Sequence, residues 1–181
     1  MTLSLKLRQG LVSIVLLLLL LPSSFIAIDQ AFFTQLLTSA EQKLEVHMYA
    51  MLSDLKIIDG KIELSNNTLS PDFFRPDSGL SAYVTSVDHT NTDQIVWQSD
   101  SSLSQNFTPP DTNLVPGEHS FYSYTSANQE YWLLSIALLF DSGEQTRPLA
   151  IHIVQTDAML RAPYLSFRNT LLSWFIWIGA A

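Results

Sequence analysis

The residues of this chain that could do chemistry are four histidines and a scattered set of carboxylates, with no cysteine among its 181 residues. Without cysteine the chain has no disulfide framework, no thiol nucleophile and no thiolate ligand for a metal. A Ser–His–Asp hydrolase would need a nucleophile elbow such as G-x-S-x-G, and the sequence supplies none. The residue types and their spacing therefore assign no catalytic, cofactor-binding or metal-binding residue.

Two histidines and one loop have competing interpretations. His152 lies mid-strand in "AIHIV", where a packed or solvent-facing histidine is favoured over a pH sensor. His47 lies beside an apolar stripe of a predicted helix, so we expect it at the surface or in a dimer interface. Asp72 and Asp77 flank a proline-rich loop around Arg75, where turn formation is favoured over a ligand pocket.

Aromatic residues and glycosylation-like patterns give weaker signals. Trp97, Tyr131 and Trp132 could stack on a ligand, but core packing is the ordinary role of aromatics in strands. The sequences "NNT" at Asn66 and "NFT" at Asn106 match the N-glycosylation pattern, which is so short that a match alone assigns no site. None of these residues is assigned to a site.

The charge distribution excludes one large class of function. All 17 acidic residues lie between Asp29 and Asp157, and only seven basic residues share the 29–168 region, which leaves it with a net charge of −10. Nucleic-acid binding requires lysine and arginine to neutralise phosphates. We therefore expect no nucleic acid among the partners of this chain.

The strongest physical signal is the apolar segment from Leu11 to Ile28, which holds eighteen residues without a charge. As a helix it would be about 27 Å long, close to the thickness of a bilayer core. Lys6 and Arg8 precede it, so the positive-inside rule predicts a cytoplasmic tail at 1–10, a transmembrane helix at 11–28 and an external region from residue 29. The alternative is a signal peptide cleaved after Ala27, with bulky Phe25 where a small residue is preferred.

A second apolar run, "LLSWFIWIGAA", closes the sequence from Leu171 to Ala181. Eleven residues are too few to span a bilayer, but Trp174 and Trp177 are placed as interfacial aromatics are. We interpret 169–181 as the start of a second transmembrane helix that is truncated here. The alternative is a buried C-terminal helix, although the run has no polar face at helical spacing.

The region between these segments, residues 29–168, is predicted to be one α+β domain. No proline or glycine interrupts 24–59, so we expect the first helix to continue outward through this stretch. Apolar residues recur along it at the helical spacings of three and four, at Phe33, Leu37, Ala40, Leu44, Met48, Met51 and Leu55. If this stripe faces a partner helix, cysteines at Gln35, Leu37 or Leu44 would crosslink a dimer; otherwise the stripe packs on its own sheet.

Breakers and alternating patterns predict the strands. "DG" at 59–60 ends the helical region, and "KIEL" follows as a short edge strand. About five antiparallel strands in hairpin order are predicted at 80–88, 94–100, 119–127, 130–140 and 149–156, the fourth of them central. "DAMLRAPYLSFRNT" returns as a helix in which Pro163 could introduce a kink. A sheet with helices on one side results.

Five stretches carry a resemblance to a known family: "IDQAF", "RPDSGLSAYVTSVD", "IVWQSDSSL", "PGEHSFYSY" and "RNTLLSWFIWIGAA". In order and spacing they resemble the N-terminal region of bacterial two-component sensor histidine kinases with a PhoQ-like, PAS-like periplasmic sensor module. The resemblance runs from about residue 3 to the last residue. The family patterns "PGSGLYA" and "LWRSPS" correspond here to "PDSGLSAYV" and "VWQSDS".

The resemblance implies a homodimeric receptor of the bacterial inner membrane with its sensor domain in the periplasm. A HAMP linker, a phosphoacceptor helix pair and a kinase domain that uses ATP and Mg²⁺ would follow residue 181, and a response regulator would be the partner of that region. The sequences after His47, His89, His119 and His152 lack the phosphoacceptor box, so this chain carries no cofactor and no kinase chemistry of its own. The dense acidic run of cation-sensing members is also absent, with Asp141 and Glu144 its nearest approach, so no metal site is assigned.

Three functions remain open on the sequence. The chain is the sensor region of a histidine kinase, or the input of a receptor with a cyclase or chemotaxis output, or an envelope protein without a signalling role. The first follows from the resemblance, whereas the two predicted membrane segments support the first two equally. In either receptor the long helix and the exit helix would transmit a ligand or envelope signal by shifts of about 1–2 Å.

Overall fold

The computed structural model describes residues 5–58, 61–64, 69–88, 91–104, 107–110, 114–141 and 146–180. The chain divides into two compact units, Met1–Thr38 with Arg161–Ala181 as the first and Ser39–Leu160 as the second. Helices make up the first unit. A sheet covered by one helical segment makes up the second, so the predicted α+β class is confirmed.

The first helix, α1, runs from Leu5 to Asp54 over 50 residues. Its continuity follows from the absence of glycine after Gly10, and Pro22 is accommodated within it. The prediction that the apolar segment and the residues after it form one unbroken helix is confirmed as far as Asp54. Among the described helices, the stretch Arg8–Asp54 of α1 is the one long and apolar enough to cross a membrane by length and composition.

A two-stranded hairpin follows α1, with β1 at Leu55–Ile58 and β2 at Lys61–Leu64. The prediction of a strand at "KIEL" is confirmed, whereas the assignment of Leu55 to the helix is wrong because Leu55 pairs with Leu64 in this hairpin. The predicted breaker at 59–60 lies outside the described residues.

The main sheet has five antiparallel strands, and their bounds are β3 Leu80–Asp88, β4 Asn91–Gln98, β5 His119–Ser126, β6 Gln129–Asp141 and β7 Thr146–Thr156. The spatial order is β4-β3-β7-β6-β5. The strand predicted at 94–100 begins three residues earlier, and the 3₁₀ turn η2 at Asp100–Ser104 takes over its predicted end. The remaining four predicted strands lie within three residues of the observed ones.

The predicted hairpin order is wrong at one connection. Strands β4 and β5 are consecutive in the chain but form opposite edges of the sheet, so β3 pairs with the last strand, β7. The connection between them holds about twenty residues and three prolines, which is too long for a hairpin loop. The central strand is therefore β7, and β6, which was predicted to be central, lies beside it.

The second part of α1 covers one face of this sheet. Leu44, Met48 and Met51 are almost completely buried there, in a core that also holds Val84 and Ile151 from the two middle strands. The short 3₁₀ turn η1, Pro71–Phe74, adds the buried ring of Phe73. The apolar stripe of the helix thus packs on its own sheet at these positions, and Leu44 is not available to a partner helix.

The opposite face of the sheet has a separate aromatic cluster. The ring of Phe107, from the connection between β4 and β5, lies 5.1 Å from the ring of Tyr83 and 5.0 Å from that of Tyr131. Leu133 and Val154 complete this buried cluster. The long connection therefore closes the face that α1 leaves open.

The second helix, α2, runs from Ala158 to Ala180 and continues through Pro163 without a break. Its start is attached to the sheet by two backbone hydrogen bonds, from Thr156 N to Gly79 O at 2.8 Å and from Asp157 N to Glu130 O at 3.0 Å. Gly79 has a φ of 79°, and a Cβ atom there would come within 2.8 Å of the sulfur of Met159. A side chain is therefore excluded at this turn on both conformational and steric grounds.

The packing of α1 on the sheet predicts a contrast between two neighbouring helix positions. Leu44→Ala removes a fully buried side chain, and we expect it to lower the free energy of unfolding by about 2–5 kcal/mol. Lys43→Ala changes an exposed side chain and is expected to matter by less than about 0.5 kcal/mol. Denaturant unfolding of both variants in detergent measures this, and equal losses would contradict the described packing.

Candidate functional site

The most unusual group in the sheet is a buried cluster of hydroxyls around His152. In the central strand β7, His152 alternates with residues that face α1 and therefore faces the opposite side. Its Nε2 atom lies 3.0 Å from Thr85 Oγ1 in β3, and its Nδ1 atom lies 2.8 Å from Ser135 Oγ in β6. The imidazole thus joins the three middle strands of the sheet.

Burial determines the protonation of this imidazole. His152 has no exposed surface, and burial lowers its pKa to about 4, so the ring is neutral at physiological pH. A neutral imidazole has one donor and one acceptor nitrogen, so one hydroxyl accepts a hydrogen bond while the other donates one. Burial also raises the pKa of Tyr122 on β5, and its hydrogen bond with Ser135 acts in the opposite direction.

The Ser135–His152 contact has the distance of a nucleophile and its base, but the arrangement does not support hydrolysis. Ser135 and His152 are both fully buried, so no substrate reaches the hydroxyl. Hydroxyls occupy both ring nitrogens, which leaves neither for the carboxylate that orients such a base. The cluster satisfies buried polar groups and holds strands together. The favoured interpretation of His152 as a packed strand histidine agrees with this geometry.

A second polar group attaches η2 to the sheet. Ser99 donates its backbone N–H to Ala82 O at 2.9 Å and accepts the Ala82 N–H on its side chain at 3.0 Å. Its hydroxyl also lies 2.9 Å from that of Ser101, and the Ser102 hydroxyl donates to Ser99 O at 2.6 Å. These serines satisfy the backbone of a buried turn.

Tyr83 lies beside this turn with its hydroxyl buried. The hydroxyl makes no hydrogen bond of good geometry, although the Ser102 and Ser81 hydroxyls are close enough to oppose part of the effect of burial on it. Burial dominates and raises the pKa of Tyr83 to about 12. The phenol is therefore neutral at physiological pH.

The loop residues considered as ligand contacts are turn formers in the structure. Asp72 occupies the first turn of η1, where its backbone N–H donates to the Ser70 hydroxyl at 3.4 Å. Asp77 adopts a left-handed φ of 55°, and Ser78 N donates to Arg75 O at 3.3 Å. This geometry agrees with the favoured interpretation of the loop as a turn.

The three aromatics considered for ligand stacking belong to the packing of the sheet. Trp97 packs against the core under α1, and Tyr131 is buried in the opposite cluster. Trp132 stacks on Phe121 with ring centres 5.4 Å apart and donates its indole N–H to Asp157 Oδ1 at 3.0 Å. Trp132 thus fastens the residue before α2 to the start of β6.

The expectation that His47 lies at the surface is wrong. It is half-buried, and its ring meets that of Phe73 edge-on at 5.4 Å. The reason is that α1 presents a wide apolar arc to its own sheet. Burial, with a smaller effect of Lys43, lowers the pKa of His47.

The remaining residues considered from the sequence lie either at the ends of strands or outside the described residues. His119 is exposed at the start of β5, and Asp141 is the last residue of β6. His89, Asn66, Asn106 and Glu144 lie outside the described residues. Within the described part of the chain, no group of three or more histidine, aspartate or glutamate side chains is placed to hold a metal ion.

In the first unit, aromatic rings from α1 and α2 meet in pairs. Phe32 and Phe167 are stacked with ring centres 3.8 Å apart, while Phe25 meets Phe175 edge-on at 5.5 Å. One polar contact lies among them, a hydrogen bond of 3.0 Å from the Tyr164 hydroxyl to Asp29 Oδ2. Neither Asp29 nor Tyr164 could be singled out from local sequence patterns, because 135 residues separate them.

The partners of His152 were also missed, although a signal for them exists. Thr85 in "YVTSV" and Ser135 in "LLSIALL" are polar residues at interior positions of apolar strands, as His152 is in "AIHIV". Recognising the cluster requires the order β3-β7-β6, which a local pattern does not contain.

Comparison with known proteins finds no match for this chain among protein-family models, curated proteins or solved structures.

The His152 cluster predicts an acid-dependent stability that one substitution removes. The folded chain keeps His152 neutral down to a pKa of about 4, whereas the unfolded chain binds the proton near 6.5. Because the folded state binds fewer protons between these values, His152 should lower the free energy of unfolding as the pH falls from 6.5 to 4, by about 3 kcal/mol in total.

Urea unfolding at pH 7, 5.5 and 4 measures this effect, with His152→Gln as the comparison. Glutamine is neutral and can still donate to one hydroxyl and accept from another. We expect the acid loss of stability to be smaller in His152→Gln than in the original chain. Parallel pH dependences in the two proteins would contradict the buried, neutral state of His152.

Proposed function

We propose that this chain is the membrane-anchored, signal-sensing region of a two-component sensor histidine kinase, with a PAS-like domain in the periplasm. The observation that carries the proposal is helix α1. Its first part is an apolar segment of transmembrane length, and its last part belongs to the core of the sheet unit. A receptor that passes a signal through a membrane needs an element that belongs to both environments.

Exposure along α1 supports the membrane part of this proposal. Leu18 and Leu19 are 65% and 67% exposed, and their neighbours from Leu11 onward are similar. Contiguous exposed apolar surface of this kind requires a cover, and an eighteen-residue uncharged segment fits a bilayer core. With Lys6 and Arg8 on the cytoplasmic side, the positive-inside rule directs residue 29 and its successors outward.

The end of α2 supports a second membrane segment in the same way. Trp174, Ile176 and Trp177 are between 65% and 76% exposed, in a run without charges from 169 onward. Aromatic residues of this type are enriched at membrane interfaces. In the proposal, 169–181 begins the helix that returns to the cytoplasm.

The sheet supports the PAS-like assignment. Five antiparallel strands, with the first beside the last and a helix on one face, give the architecture that the resemblance implies. In this proposal the chain contributes no catalysis. A ligand or envelope signal changes the sensor unit, the two helices transmit the change, and a kinase domain encoded beyond residue 181 uses ATP and Mg²⁺ to phosphorylate a histidine for a response regulator.

The reading frame beyond codon 181 tests the kinase assignment. We expect about ten further apolar residues to complete the second crossing, followed by lysine or arginine on the cytoplasmic side. A HAMP-like linker should follow, then a helix with His-Glu or His-Asp and proline four positions after the histidine. A stop codon at 182 in an intact genome would contradict the kinase assignment. A cyclase or methyl-accepting domain would replace the output and keep the sensor.

The proposed homodimer uses a different helix face from the apolar stripe for which the sequence left both a partner helix and the chain's own sheet open. Leu44 and Met51 are buried on the sheet, whereas Gln42, Val46, Tyr49 and Ser53 form an exposed stripe at spacings of four and three. Val46 and Tyr49 are 66% and 67% exposed. This spacing is that of a coiled-coil seam, so in our proposal this stripe meets a second copy of the chain.

Cysteine crosslinking in membranes tests this interface, because the chain has no cysteine of its own. Val46→Cys and Tyr49→Cys are expected to give disulfide-linked dimers under mild oxidation. Leu44→Cys and Met51→Cys are the matched controls and should give none, because both side chains are buried. Equal, low crosslinking at all four positions would contradict a dimer through this stripe.

A further inference from the structure

Within the first unit, α1 and α2 share a continuous antiparallel seam. Residues further toward the start of α1 meet residues further toward the end of α2. Phe33 lies against Tyr164 with ring centres 5.3 Å apart, and Phe25 lies against Phe175 at 5.5 Å. Beyond them, a Cβ atom on Gly179 would be 3.9 Å from Leu21 Cδ1.

Asp29 is the one acidic residue of α1 within this seam. It follows Leu21 and Phe25 at spacings of four and precedes Phe32 by three, so it shares their helix face. Its Oδ2 atom accepts the hydrogen bond of 3.0 Å from the Tyr164 hydroxyl, while its Oδ1 atom is buried and has no hydrogen-bond partner. A carboxylate in this setting requires the phenol, since leaving both oxygens unpaired would cost more.

Arg168, one turn beyond Tyr164 on α2, takes part in the same group. The hydrogen bond with Asp29 raises the pKa of Tyr164, because an ionised phenol would face the carboxylate. The charge of Arg168 and its hydrogen bond to the phenol oppose this effect. The Tyr164 hydroxyl thus interacts with the carboxylate of Asp29 on α1 and with the guanidinium of Arg168 on its own helix.

We propose that the Asp29–Tyr164 hydrogen bond, with Arg168 beside it, is a polar latch that fixes the register of the two helices. The rest of the seam is aromatic or aliphatic and recurs at about one helical turn, so a slide by one turn brings similar groups together. A hydrogen bond is lost by a displacement of about 1 Å, which makes it sensitive to register where apolar contacts are not. A single buried polar residue fixes register in coiled coils by the same physics.

The consequence for signalling rests on the proposed function. Helix shifts of about 1–2 Å along α1 would break this contact, so a signalling state that moves α2 relative to α1 must release the latch. The fixing of register does not depend on any output domain and is testable in this chain alone.

Two cysteine pairs report the register. In the original register, Leu21→Cys with Gly179→Cys should crosslink under mild oxidation in phospholipid vesicles. Leu17→Cys with Gly179→Cys reports a slide of one turn. Both pairs leave every aromatic contact and the latch unchanged, and the cysteine-free chain gives no background. The ratio of the two crosslinking rates measures the preference for the original register.

The pairs are then compared in Tyr164→Phe, which keeps the ring against Phe33, and in Asp29→Asn, which keeps the shape of the side chain. We expect each variant to lower the ratio about tenfold, as the loss of one charge-assisted hydrogen bond implies. The double variant should lower it no further than either single one, because all remove the same bond. Tyr124→Phe and Asp72→Asn, in the sheet unit, are the controls and should leave it unchanged.

An unchanged ratio in Tyr164→Phe and Asp29→Asn would overturn the latch, since apolar packing alone would then set the register. Loss of both crosslinks would also overturn it, because the helices would have separated rather than slid. Neither result bears on the kinase assignment, and a reading frame without a kinase would leave the measured register preference as it stands.

Discussion

The structure depends on the burial of one face of a single helix, α1, against the sheet. Leu44, Met48 and Met51 supply much of the apolar surface that covers β3 and β7. Burial of a leucine or methionine side chain contributes about 1.5–3 kcal/mol each, so this contact is a large part of what stabilises a small unit. The same helix carries an apolar segment in which most of the large side chains are exposed. In the proposed receptor, a helix that packs on the sheet at one end and crosses a bilayer at the other has little freedom to bend or break between them.

The two faces of the sheet are stabilised by different kinds of contact. The face under α1 is apolar and requires only complementary packing. The opposite face has the long connection between β4 and β5 as its cover, and it buries hydroxyls, an imidazole and several tyrosines. Such groups are stable inside a protein only when their hydrogen bonds are made, which is why His152 meets Thr85 and Ser135 on neighbouring strands. A polar cluster of this kind specifies the alignment of the three strands more narrowly than apolar contacts do.

The spacing of apolar residues predicted the helices and strands whose formation depends on neighbouring residues in the sequence. The spacing of three and four along α1, and the alternation in β3, β5, β6 and β7, gave elements close to the observed ones. Contacts between distant residues were beyond such patterns. The first hairpin strand, Leu55–Ile58, exists because a partner follows it, and the strand order depends on the pairing of β3 with β7.

Side-chain partners were the least predictable feature for the same reason. His152 was weighed as a single residue, but its hydrogen-bond partners are two hydroxyls that lie 67 and 17 residues away in the sequence. Asp29 carried no signal at all until α2 placed Tyr164 beside it. The acid and the phenol acquire a role only through the pairing of the helices.

The most direct test of the account is the position of three single cysteines relative to the membrane. In spheroplasts, a membrane-impermeant thiol reagent should label Leu103→Cys, whose side chain is 71% exposed on the sheet unit. It should not reach Leu18→Cys in the apolar segment, and it should reach Gln9→Cys, which keeps both basic residues Lys6 and Arg8, only after permeabilisation. Labelling of Gln9→Cys before permeabilisation, with Leu103→Cys protected until then, would contradict a sensor unit on the periplasmic side of the membrane.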